Sequence, residues 1–99
     1  MTSSITEATV PLATGVALTD DTLTIELSDG RTVSVPLAWY PRLLHATSEE
    51  RSNWRLVARG EGIHWPAVDE DISVASIIAG RPSAESAPSL QRWLNARKA

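Results

Sequence analysis

The chain has 99 residues, of which 42% are apolar and 21% charged; its net charge is −3 and it contains no cysteine. That is one domain's worth of core. It excludes a disulfide scaffold, a thiolate zinc site and a cysteine nucleophile, and fits a reducing compartment. The acidic balance argues against non-specific binding to nucleic acid or anionic membranes. The charge is unevenly placed: residues 1–80 carry five basic and eleven acidic groups, residues 81–99 four basic and one acidic. No stretch approaches the ~20 apolar residues that span a bilayer. "MTSSITEATVPL" lacks the basic start and apolar run of a secretion signal, so a cytoplasmic location is expected.

Residues 1–12 are polar and aperiodic and are expected to be flexible. "VALTDDTLTIELSDGRTVSVPL" then alternates apolar and polar residues in three runs, which predicts three strands. Parity fixes their register. A two-residue turn at Asp20-Asp21 sets Leu18 opposite Leu23 and Val16 opposite Ile25. A tight turn on Asp29-Gly30 alone would mix the faces. A three-residue loop Ser28-Asp29-Gly30, with Gly30 left-handed, instead pairs Ile25 with Val33 and Leu23 with Val35. Pro36 ends the third strand or marks it as an edge.

"AWYPRLLHA" predicts a short helix with Pro41 in its first turn. Thr47 and Glu50 have capping-box spacing, and Glu49, Glu50 and Arg51 read as a solvated helix start. "WRLVARG" predicts a fourth strand with Trp54, Leu56 and Ala58 on one face. "GEG" turns the chain into Ile63-His64-Trp65, which Pro66 stops. Ser73 is a natural N-cap, with Ile72 stapled to Ile77, a buried stripe of Val74, Ile77 and Ile78, and Gly80 just past the end. On this reading Asp69, Glu70 and Asp71 lie ahead of the positive end of that helix, where negative charge is favourable. "GRPSAES" is a linker by composition. "SAPSLQRWLNARKA" is an amphipathic helix over about 86–97, capped by Ser86, with Leu90, Trp93 and Leu94 on one face. Arg92, Arg97 and Lys98 lie elsewhere or near its carboxyl end.

Three clusters compete for a chemical role. His64 with Asp69 and Asp71 has the makings of a metal trio, and His64 with Asp69 those of an acid–base dyad. The spacing matches no ligand pattern, there is one nearby histidine, and no nucleophile elbow is present. No catalytic, metal or cofactor residue is therefore assigned. Trp39, Tyr40 and Arg42 read either as an aromatic-basic recognition patch or as core packing with Tyr40 and Arg42 at the rim. The basic tail is more suited to docking than to holding nucleic acid.

Two blocks, "DGRTVSVPLAWYPRL" and "GEGIHWPAVDEDISVASIIAG", closely resemble the bacterial family called domain of unknown function 2442, from about Val16 to Ser83. The resemblance implies a small α+β domain, a curled antiparallel sheet with short helices. Some members add a helix-turn-helix; others stand alone beside a small neighbouring protein, as toxin–antitoxin pairs do. The sixteen residues after Ser83 give room for one helix only.

The expected architecture is thus α+β: a small curled antiparallel sheet of 3–5 strands on short helices over residues 13–80, then a linker and C-terminal amphipathic helix over 81–99. The expected function is a non-catalytic protein–protein interaction domain, an antitoxin-like partner of a small neighbouring protein or of itself, with a homodimer through the C-terminal helix as one mode. The alternative is a nucleic-acid-associated transcriptional regulator acting as a dimer; an enzyme ranks third. Candidate partner-binding residues are Trp39, Tyr40, Arg42, His64, Trp65, Asp69, Glu70, Asp71 and Trp93.

Overall fold

The computed structural model of the chain describes residues 10–98. The expected flexible start lies outside them up to residue 9. Leu12, placed in that start, is tied down: its N–H donates to Ser28 Oγ at 2.9 Å, and the Ser28 N–H donates back to the Leu12 carbonyl at 2.8 Å.

The three alternating runs form an antiparallel meander, β1 (Ala13–Leu18), β2 (Thr22–Leu27) and β3 (Thr32–Pro36), in the order β1-β2-β3. The parity argument holds at every pair it named. Leu18 faces Leu23, Val16 faces Ile25, Ile25 faces Val33 and Leu23 faces Val35. The loop after β2 closes by Gly30 N–H to the Leu27 carbonyl at 3.1 Å and Leu27 N–H to the Arg31 carbonyl at 2.8 Å. Gly30 sits at φ +93°, a value that Gly reaches without a Cβ penalty. Leu23, Ile25 and Leu27 are buried and make one wall of the core. Pro36 closes β3 on the sheet edge, where a missing N–H is tolerated.

A 3-10 turn over Leu37–Trp39 leads into α1 (Pro41–Leu44), with Pro41 at its first position, and α2 (Ser48–Ser52) follows. The capping box is present in full: Glu50 N–H donates to Thr47 Oγ1 at 3.1 Å and Thr47 N–H to Glu50 Oε1 at 2.8 Å.

A second antiparallel sheet holds β4 (Arg55–Val57), β5 (Gly62–Trp65) and β6 (Glu70–Ser73), in the order β4-β5-β6. β4 is shorter than expected. Ala58 and Arg59 have φ of +50° and +60°, so the chain leaves the strand there and Ala58 does not share a face with Leu56. β6 is the main correction to the sequence reading. The acidic run lies ahead of the Ser73 cap as expected, but it is turn and strand and not a free approach to the helix. Asp69 takes the left-handed conformation, φ +52°, at the end of a turn, and Glu70 and Asp71 begin a strand. Asp visits this region more readily than most residues because its short side chain bonds locally. Ser73 serves both elements. It ends β6, and its Oγ accepts from Ser76 N–H at 3.0 Å as the N-cap of α3 (Val74–Ile78). Gly80, at φ +74°, ends α3 in a Schellman motif, with Gly80 N–H on Ile77 O and Arg81 N–H on Ser76 O at 3.0 and 2.9 Å. Val74 and Ile77 are buried as expected, whereas Ile78 is 36% exposed and leaves the stripe.

The sheets meet where Gly60 crosses the start of β1. A Cβ on Gly60 would stand 2.6 Å from the Ala13 carbonyl oxygen, and its φ is +99°. Of the four tryptophans Trp65 alone is fully buried, and its indole N–H donates to the Arg51 carbonyl at 3.0 Å. Trp39, Trp54 and Trp93 pack partly buried around the core. The last element is α4 (Ala87–Lys98), whose first turn is capped by Ser86 Oγ accepting from Ser89 N–H at 3.2 Å. No helix among the described residues is long and apolar enough to cross a membrane.

Candidate functional site

Strand parity divides the acidic run among three environments. Across the β5–β6 ladder Ile63 faces Ile72, His64 faces Asp71 and Trp65 faces Glu70. Paired residues share a face, and successive residues alternate. Glu70 therefore lies on the inward face with buried Ile63, Trp65 and Ile72, whereas His64 and Asp71 lie on the outward one. There His64 Nδ1 and Asp71 Oδ1 come within 2.7 Å. Asp69, expected beside them, is exposed in the turn. Trp65 and Tyr40, both candidates for meeting a partner, are 0% and 3% exposed, so their side chains form core and not surface.

The inward carboxylate meets α1. Pro41 starts that helix just after Tyr40, whose ring is in the core and whose hydroxyl is buried with no hydrogen-bond partner among the described residues. Arg42 follows and makes the densest set of polar contacts in this region. Its Nε and Nη2 grip the Glu85 carboxylate at 2.8–3.0 Å, while Nη1 donates to the Val68 carbonyl at 3.1 Å. The two side chains are 17% and 10% exposed, so this is a largely desolvated, forked ion pair. Ser89 Oγ donates to the same carboxylate at 2.8 Å. The Arg42 guanidinium holds Glu85 below the usual carboxylate range. Glu70 behaves oppositely. Burial first, and then the charge of Glu85, push it up to about 7 against the pull of Arg42. Burial, with the Glu70 charge adding to it, raises the Tyr40 phenol as well.

The same cluster seats the C-terminal segment. Ser83 N–H donates to the Trp39 carbonyl at 3.0 Å, so the expected linker is stitched down before α4 begins. The Trp93 ring lies between two guanidinium groups, Arg42 at 5.3 Å and Arg97 at 4.6 Å from its centre. Arg97 then forks onto Glu50 at 2.8 and 3.1 Å. The capping carboxylate of α2 thus has a second task, and its pKa is held down to about 2, by Arg97 first and the Thr47 N–H next. Ser89, Trp93 and Arg97 recur every four residues, one stripe on α4, and Glu85, just before the Ser86 cap, continues the spacing. Leu90 and Leu94 are half-buried beside Trp93, and no residue of α4 is fully buried.

Of the candidates, then, Tyr40, Arg42, Glu70 and Trp93 come together. Trp39 contributes its carbonyl, while His64 and Asp71 form a separate outward pair. Sequence reasoning missed Glu85, Ser89 and Glu50, and left Arg97 off the docking face. The four-residue spacing was the one available signal. Chemically the site is a cation shared between an acid and an indole. The hollows of about 330 Å³ (beside Leu18, Arg51 and Trp54) and about 510 Å³ (beside Leu12, Glu61 and Ala75) are not lined by Arg42, Glu70, His64 or Glu85.

Two solved structures share the fold. A protein of unknown function from Rhodospirillum rubrum aligns with a TM-score of 0.67 at 22% identity, over 78% of this chain and 95% of that one. An uncharacterised protein from Chromobacterium violaceum aligns with a TM-score of 0.63 at 18% identity, over 82% of this chain and 74% of that one. At such identities the likeness is one of fold. No curated protein matches the sequence. The model of the family described as protein of unknown function (DUF2442) matches residues 13–83, which spans both sheets and the three short helices and stops before α4; the chain belongs to that family.

Proposed function

We propose that this chain is a non-catalytic protein-binding domain whose α1–α2 face receives an amphipathic helix. The observation that carries the reading is α4 itself. It lies beyond the family's matched span, yet it is held on that face by two forked ion pairs and a tryptophan between two guanidinium groups. Arginine and tryptophan are the residue types that dominate binding hot spots, and helix-in-groove recognition is read as anchors spaced along one face. The partner chemistry follows from the seat: an acid for Arg42, an indole beside it, and a cation for Glu50. Such a partner is a second copy or a small neighbouring protein, in an antitoxin-like arrangement in the cytoplasm.

Arg97 is committed to Glu50 and Trp93, which leaves Arg92 and Lys98 as exposed cations of the helix and supports protein over nucleic acid as the partner. Glu70 has the shifted pKa of a catalytic acid, but such shifts also arise in structural ion-pair clusters, and the Arg42–Glu85 pair beside it makes one. A fluorescent peptide of residues 83–98, titrated against the chain ended at Ser83, tests the proposal by anisotropy. Saturable binding that Arg42→Ala removes is expected. If the peptide does not bind a truncated chain that circular dichroism shows to be folded, the α1–α2 face is no helix receptor.

A further inference from the structure

We infer that residues 83–98 form an exchangeable arm: the partner on the α1–α2 face is the arm of a second copy, and two chains trade arms about the Gly80–Pro82 hinge. This rests on reading that face as a helix receptor. The hinge is short and sharply bounded. The last bond of the α3 cap is Arg81 N–H to Ser76 O, and the first bond of the docked arm is Ser83 N–H to Trp39 O. Pro82 alone lies between them and has no N–H to lose. The arm is detachable because no residue of α4 is fully buried: its hold is two ion pairs and the half-buried Trp93. Exchange reproduces every contact of the closed chain, so the balance is set at the hinge and wherever the two chains newly meet. Short hinges favour trading over self-closure. Ile78, 36% exposed and two residues before the hinge, is the apolar group such a meeting would cover. Charge complementarity between arm and body holds in the exchanged pair as it does in the closed chain: residues 81–99 carry +3 against −6 on residues 1–80.

The absence of cysteine gives a clean test in the full chain. Glu49 and Lys98 are exposed and adjoin the Glu50–Arg97 pair, so Glu49→Cys and Lys98→Cys leave the clamp intact. The two single variants, one carrying a mass tag, are mixed at high concentration, unfolded and refolded together, and treated with a short bismaleimide. Exchange predicts a mixed adduct of one chain of each kind, with neither like-with-like adduct, and a native mass of two chains by light scattering. Arg42→Ala in both chains should reduce the adduct about tenfold or more, as loss of a charged, forked hydrogen bond implies. If the chain carrying both cysteines closes on itself and the mixture gives no adduct, exchange is overturned and the helix receptor stands. If the double variant closes neither within nor between chains, α4 does not sit on this face and both readings fall.

Discussion

Glu70 shows how one residue's place in a ladder sets the chain's response to pH. Its proton is held more tightly in the folded chain, where the pKa is about 7, than at its ordinary value of 4.5. Stability from this group is therefore complete below about 4.5, declines as pH rises towards 7 and then levels off. Glu50 works in the opposite sense: held at about 2, it stabilises above 4.5, and that share is lost as pH falls towards 2. Glu70→Gln should remove the decline between pH 4.5 and 7. We expect it to raise stability at pH 8 by about 1–2 kcal/mol, a discounted part of the shift, and to leave the pH 4 melt near that of the parent. Denaturant melts at the two pH values check this; a variant that keeps the parental slope would place the titration elsewhere. Nothing local marks Glu70 out, because Asp69, Glu70 and Asp71 read alike in the sequence. Their separation into turn, inward face and outward face exists only once β6 pairs with β5.

At the scale of elements, legibility followed how local the determining physics was. Period-2 alternation and loop length fix a hairpin's register, so the β1–β2–β3 pairs were readable down to the three-residue loop. A capping box is contained in four residues, so α2 was readable too. β6 was not: "EDIS" has weak strand character and ends in Ser73, whose cap reads as a helix start, while its pairing with β5 came from outside the segment. Ser73→Ala should cost about 1 kcal/mol through the lost cap, seen as a lowered urea midpoint; superimposable curves would remove the cap's role. Gly60→Ala should cost at least about 2 kcal/mol, because it adds a left-handed Cβ penalty and a clash with the Ala13 carbonyl. A melt of that variant within experimental error of the parent would mean that the two sheets can part there.

For the molecule as a whole, the Arg42–Glu85 pair decides whether the arm stays on the body. Half of the site could be named from composition, since Arg42 and Trp93 are conspicuous types. Glu85 could not, because it sits in a stretch that reads as linker and its partner is 43 residues away. Breaking a desolvated pair by removing one partner costs roughly 3–5 kcal/mol when the other stays buried. Here Glu85 can escape to water if the arm lifts, so the cost is capped at the energy of docking. Arg42→Ala should thus free α4 and spare the core. We expect Trp93 emission to shift towards that of indole in water and the helical signal to fall by about the share of α4, with the main melt nearly unchanged. Collapse of the whole fold would show that the arm and the core are one cooperative unit.

The way α4 is seated also sets which solution variable governs it. Undocking α4 exposes Trp93, Leu90 and Leu94, which are half-buried, but no fully buried residue, and heat-capacity change follows apolar exposure. The docking equilibrium should then curve less with temperature than the core's stability does. Ionic strength separates its two clamps: at roughly 1 M salt the screening length falls to about 3 Å, which weakens the more exposed Arg97–Glu50 pair and much less the desolvated Arg42–Glu85 pair. A helix of twelve residues is marginal once released. Added salt should therefore fray α4 from its Arg97 end, with part of the helical ellipticity lost while the near-ultraviolet signature of buried Trp65 persists.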